Sequence, residues 1–216
     1  MLCSLLMAQK LKDEVRSKIL EAAEREFADK GYSGATMASI ARTAGVATGN
    51  LYRYYANKDA LFYTLFTEDF AATFLALLRK RVGSLLRTPN LEELPQTAQR
   101  DGNELLEFWI ANRRRVVVLL ARAQGSAYET FSEQFVEVLL KPTLRQFREQ
   151  AGNTRLRPVV RKTLRTIFDN TVNAIVTILS ETESEPSTRE AFAVFWSYQL
   201  AGLQGLRMWV HNEQNN

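Results

Sequence analysis

Residues 36–58 read TMASIARTAGVATGNLYRYYANK. Thr36 is a good N-cap for a short helix, Met37 to Thr43. Gly45 accepts a positive φ at no steric cost, as a sharp reversal requires. A second short helix follows from about Ala47 to Tyr54. Ala41 is small enough for the two helices to approach closely. Ile40, Val46, Leu51 and Tyr55 are the apolar positions that would pin the pair to a supporting helix. That arrangement is a helix-turn-helix whose second helix faces outward.

The outward face has the chemistry of a DNA reader. Thr48, Gly49, Asn50, Arg53 and Tyr54 are not needed for a core and offer a hydroxyl, an amide, a guanidinium and a phenol. The segment contains Arg42, Arg53 and Lys58 and no acid, so it does not repel phosphates. Arg42 alone reads as a solvated charge, and Tyr52 and Tyr55 fit a core role as well as a contact role.

The flanking sequence supplies the support. Upstream, Lys12 to Lys30 reads as a helix with Val15, Ile19, Ala23 and Phe27 as one apolar stripe, closed by Gly31. Residues 1–11 read as an extension that frays, and Met7 as a possible alternative start. Downstream, Asn57 caps a long fourth helix carrying Leu61, Leu65, Phe66, Phe70, Phe74 and Leu77 to about Gly83. Further helices are predicted over 95–112, from Arg113, over 127–150 with a kink at Pro142, over 158–180, and from a Ser187–Glu190 capping box to Val210. No stretch alternates with period two between hairpin turn signals. The fold class is therefore all-α, with about nine helices.

Composition excludes several functions. The 216 residues carry 28 Lys/Arg and 24 Asp/Glu, net +4. Residues 1–58 hold nine basic and six acidic residues, so most of the excess lies in the first quarter, which suits an anionic partner there. Cys3 is the only cysteine and His211 the only histidine. An intrachain disulfide is impossible, a His/Cys zinc site is not expected, and a histidine-dependent hydrolase is disfavoured. There is no Gly-rich phosphate loop. The expectation is a cytoplasmic protein, not an enzyme, with no cofactor, metal or membrane partner.

The motif resembles the TetR-type (tetracycline-repressor-like) transcription regulators. Their pattern is T-x3-I-A-x2-A-G-V-S-x-G-x-L-Y-x-[HY]-F-x2-K-x2-L. It is matched by Thr36, Ile40, Ala41, Ala44, Gly45, Val46, Gly49, Leu51, Tyr52, Tyr54, Lys58 and Leu61. Ala47 replaces the usual serine and removes a capping hydroxyl, and Tyr55 replaces the usual phenylalanine. The resemblance implies that Thr36 and Lys58 hold phosphates at the two ends of the motif. It places Thr48, Gly49, Asn50, Arg53 and Tyr54 in the major groove, with Tyr52 on a phosphate or a thymine methyl.

It also implies a helix-turn-helix domain over 12–57 and a helical ligand-binding and dimerisation domain over 58–216. Pocket candidates are Phe74, Phe108, Trp109, Tyr128, Phe131 and Phe168. Asp69, Asp169, Asn170 and Asn173 are weaker polar candidates. The last two helices look apolar over more than one face, and Phe168, Ile175, Phe195, Leu203 and Leu206 are the expected dimer contacts. The implied function is a homodimeric repressor released from a palindromic double-stranded operator by a small-molecule effector. The alternatives are a ligand-independent DNA-binding or adaptor protein with a sealed core, and an enzyme with a similar helical start.

Overall fold

A computed structural model describes residues 2–152 and 156–212, with side chains described for 9–152, 156–210 and 212. The side chains of Cys3, Met7 and His211, together with Met1, lie outside the described set. Among the described residues every regular element is helical, in keeping with the all-α expectation. The helices are α1 (Leu2–Gly34), α2 (Met37–Ala44), α3 (Thr48–Leu51), α4 (Lys58–Leu65), α5 (Glu68–Leu86), α6 (Gln96–Ala111), α7 (Arg113–Val117), α8 (Phe131–Gln150), α9 (Pro158–Glu181) and α10 (Glu185–Asn212). A π-helical turn, Val118–Arg122, follows α7.

The chain forms two compact units. The first holds residues 1–70 and 114–130, and the second holds 71–113 and 131–216. The first unit is therefore larger than a 12–57 segment. It includes α4 and the π-turn, because Phe62 of α4 and Phe66 at its C-terminal cap pack on Phe27 of α1 and are fully buried with it.

Several elements differ from their sequence-based bounds. The first helix starts at Leu2, so residues 2–11 continue it. Gly31 takes the expected positive φ (72°), and a further turn follows it to Gly34. The long helix expected over 57–83 is broken. Phe66 has φ −108°, ψ 69°, and Thr67 Oγ1 accepts a hydrogen bond from Phe70 N–H to cap a new helix. Neither residue is a Gly or Pro, so periodicity alone could not reveal the break. The same break interrupts a 58–86 stretch that by composition is apolar enough to span a bilayer. The last helix opens on a reciprocal Ser184/Ser187 cap in place of the predicted Ser187–Glu190 box. Pro186 suits a first helical turn, which moves the start upstream.

The helix-turn-helix rests on a polar knot as well as on its core. Ile19, Ala23 and Phe27 of α1 meet Ile40, Leu51 and Tyr55, all buried. Beside them Glu26 is buried, accepting hydrogen bonds from Lys30 Nζ (2.6 Å) and Thr43 Oγ1 (2.7 Å). Burial works to raise the Glu26 carboxyl, but hydrogen bonds with Lys30, Ser39 and Thr43 and the Lys30 charge outweigh it, leaving the pKa at about 2. Glu26→Ala should cost about 1–3 kcal/mol in urea unfolding at neutral pH, since it removes the charge-assisted hydrogen bonds of a buried carboxylate. Because the folded pKa is depressed, the advantage of wild type over Glu26→Gln is complete above about pH 4.5 and disappears as pH falls towards about 2. Equal stability of the two proteins at neutral pH would contradict this.

Candidate nucleic-acid interface and helical cavity

The helix-turn-helix forms over the segment that the motif marks. Thr36 caps α2: its Oγ1 accepts from Ser39 N–H (3.1 Å), and Ser39 Oγ accepts from Thr36 N–H (3.2 Å). Gly45 is left-handed (φ 68°, ψ 30°), and Val46 N–H closes the turn onto the Ala41 carbonyl at 3.0 Å. Ala47 then opens α3 with no side-chain cap. Regular α-helix covers only Thr48–Leu51, shorter than the expected Ala47–Tyr54. Arg53 and Tyr54 instead donate to the carbonyls three residues back, a tightened continuation of the same turn.

Thr48, Gly49, Tyr52 and Arg53 are exposed, and Asn50 and Tyr54 are half-buried. The two readings of the tyrosines separate here. Tyr52 is 52% exposed, whereas Tyr55 is 6% exposed with its hydroxyl accepting from Arg16 Nε at 3.4 Å. Lys58 is half-buried. Its ammonium donates to the Tyr32 carbonyl (2.7 Å) and lies 4.2 Å from the centroid of the Tyr32 ring. The Tyr32 hydroxyl donates to Asp59, and burial together with that bond pushes its pKa up to about 12. Lys58 thus already ties α4 to the end of α1, with an N–H left for an outside acceptor.

Gly49 is informative in a different way. It is helical, with no positive φ, and a Cβ added there would meet nothing within 4 Å. Neither conformation nor packing in this chain requires glycine, although glycine costs a helix about 1 kcal/mol relative to alanine.

A family model described as bacterial regulatory proteins, tetR family, matches residues 19–64, spanning α1 to α4. The helix-turn-helix region of this chain is similar to that family. Among the curated relatives is the HTH-type transcriptional repressor AcnR of Corynebacterium diphtheriae, 41% identical over 56 residues. That match covers 26% of this chain and 30% of AcnR. The HTH-type transcriptional regulator HbdR of Aromatoleum sp. is 43% identical over 63 residues, 29% of this chain and 28% of HbdR. The chain therefore matches less than a third of the length of these two relatives. An HTH-type transcriptional repressor of Mycobacterium tuberculosis is 26% identical over 168 residues, 78% of this chain and 83% of its own.

The second unit contains a cavity of about 90 Å³, with Leu78, Leu105, Trp109, Phe135, Phe168 and Ile175 among its apolar walls. An adjoining compartment of about 60 Å³ shares Val82, Leu85, Leu139, Phe168 and Leu203 with it. Of the six expected pocket residues, Trp109 and Phe168 line this cavity. Phe74 sits in an aromatic cluster with Phe108 (5.6 Å between centroids) and Phe131 (5.3 Å), none of which lines it. Tyr128 belongs to the first unit, 6.1 Å from Tyr63, and corrects the grouping. Asp169, Asn170 and Asn173 are exposed on α9.

The expected dimer contacts are also redistributed. Phe168 (5% exposed) and Ile175 (1%) are core, and Phe195 and Leu203 line the cavity; Leu206 is half-buried. The exposed apolar side chains of α10 are instead Val194, Tyr198, Met208 and Trp209. Positions 194, 198, 201, 205 and 208 follow helical spacing along one face. Gly202 and Gly205 lie beside or on it, and a Cβ at either would meet nothing within 4 Å. In the sequence the two glycines suit close helix crossing, but Val194, Tyr198 and Met208 are masked by the stronger apolar signal of their larger neighbours. Arg81 is likewise masked, although Phe74, Leu78, Arg81 and Leu85 share one helical stripe.

Proposed function

We propose that the chain is a homodimeric, effector-responsive transcriptional repressor that reads a near-palindromic operator through α2 and α3. Gly49 carries the DNA-reading part. A helical glycine that the chain itself does not need, on the exposed face of α3, is accounted for by close approach of an outside partner. Thr48, Asn50, Arg53 and Tyr54 surround it with donors and acceptors suited to base edges. Thr36 and Lys58 hold phosphates at the two ends of the motif, and Tyr52 adds a phosphate or thymine-methyl contact. The names of the relatives, repressor and regulator, support the same reading.

Dimerisation rests on the α10 face, where two further glycines without an internal role would permit close helix approach. The cavity in the second unit favours effector control over a sealed core. Effector binding and DNA binding are then coupled by about 1–3 kcal/mol, the usual size for such systems. The protein acts in the cytoplasm, where its operator is.

Gly49→Ala separates the fold from the function. It should leave stability unchanged or raise it by up to about 1 kcal/mol. It should lower affinity for the DNA flanking the protein's own gene by tenfold or more, measured by fluorescence anisotropy. Unchanged affinity would remove α3 from the interface.

A further inference from the structure

Outside the reader, the group least explained by the fold is Arg81. It is 7% exposed, sits on α5 and lines the larger cavity. Among the described residues its one hydrogen bond runs from Nη1 to the Ala98 carbonyl, at 2.5 Å. Among the described residues no carboxylate forms an ion pair with it, although the nearby Asp101 charge favours its charged form. The closest acid in sequence around α6, Asp101, is turned to Lys80 at 3.4 Å. The guanidinium is nevertheless held in place. Its Cζ is 5.9 Å from the Trp196 ring centroid, and a Cβ at Gly102 would come within 3.0 Å of it, so glycine is what lets it lie against α6.

A second unsatisfied donor lines the same cavity. Trp109 is 2% exposed, and among the described residues its indole N–H has no hydrogen-bond partner. The cavity therefore combines apolar walls with an arginine retaining unused donors and an orphaned N–H. A buried cation and a buried donor without acceptors are costly. An anionic acceptor in the cavity would answer the arginine, and the Trp109 side chain lines the same cavity. Arg207, the other buried arginine of this unit, has a local explanation. Its Nη1 donates to the Thr88 carbonyl at 3.1 Å, just past the C-terminus of α5, where a cation is favoured.

We propose that the cavity binds an apolar molecule carrying one carboxylate, with Arg81 as the anchor for the acid and Trp109 as an accessory donor. This rests on the reading that the second unit binds an effector. A cation-free apolar cavity would prefer a neutral molecule, since a carboxylate loses more hydration on entry. Arg81 reverses that preference through a bidentate, charge-assisted contact. The apolar walls take the body of the ligand.

The test uses the full-length protein and two matched pairs, decanoate with decanol and naphthoate with naphthol. Dissociation constants come from the intrinsic fluorescence of Trp109 and Trp196, which both line the cavity. The expected result is that at least one acid binds ten times or more tighter than its alcohol, and the preferred pair tells whether the body is a chain or a ring. Arg81→Gln should abolish the preference while the alcohol still binds, and Arg207→Gln should leave it intact. Gly102→Ala keeps the charge but crowds the guanidinium, and should reduce the preference even where Arg81→Gln does not fold. Equal binding of acid and alcohol to wild type would overturn the anchor while leaving an effector cavity. Failure of every compound to bind would overturn the proposal as a whole. Loss of acid preference in Arg207→Gln alone would show that the anchor is misassigned. DNA binding by the same preparations reports separately on the reader.

Discussion

Tyr198→Glu should convert the protein from dimer to monomer and lower affinity for its operator by a hundredfold or more, without unfolding it. Tyr198 is 76% exposed on the apolar face of α10, beside Val194 and close in helical register to Gly202 and Gly205. A carboxylate there costs a folded monomer almost nothing, whereas in a helix–helix interface it must be desolvated without a partner. The operator effect follows from geometry. One recognition helix reads few base pairs and competes poorly with non-specific DNA. Two helices about 34–36 Å apart read a palindrome with far greater discrimination. Sedimentation, circular dichroism and operator titration on one preparation decide the matter. A monomer that retains full operator affinity, or a variant that stays dimeric, would contradict the assignment of this face. Leu203→Glu is a poorer probe than its sequence suggests, because Leu203 lines the cavity and a charge there would damage the core.

The second large effect concerns base reading. Asn50→Ala and Arg53→Ala should each cost about 1–3 kcal/mol in operator affinity and relax preference at one position of each half-site. Arg53 is exposed and Asn50 half-buried, and neither supports the core, so both variants should fold as wild type does. Titration against single-base operator variants separates this from a phosphate contact, which would weaken all sequences about equally and change the salt slope. Uniform loss across all variants would move these residues from bases to backbone.

The reader was legible in the sequence because its constraints are local. Gly45 needs its left-handed φ within one tight turn, Thr36 caps the helix it precedes, and Ile19, Ala23 and Phe27 fall on one stripe of α1. Each can be read within a few residues. The second unit was legible only as helices. Its apolar positions have two destinations, the cavity wall and the exposed face of α10, and a hydrophobicity pattern does not tell them apart. Phe195 and Leu203 thus look like interface residues in the sequence, while Tyr198 carries no signal of its own. Tyr128 looked like Phe131 three positions on, yet it packs in the other unit, which only long-range contacts with Tyr63 and Phe62 decide. The break at Phe66 was hidden because a buried phenylalanine, not a Gly or Pro, leaves the helical path there. Arg81 did carry a signal, a cation on the apolar stripe of α5, that counting charges alone overlooks.

The central claim is that a symmetric pair of α3 helices selects DNA sequence. In-vitro selection from a random duplex library with the full-length protein tests it most directly. The account predicts enrichment of an inverted repeat whose half-sites lie about one helical turn apart or a multiple of it, bound by an even number of protomers. It also predicts that Asn50→Ala or Arg53→Ala shifts the enriched bases symmetrically in both halves. Enrichment of no sequence, or of an asymmetric site bound by a single protomer, would contradict it.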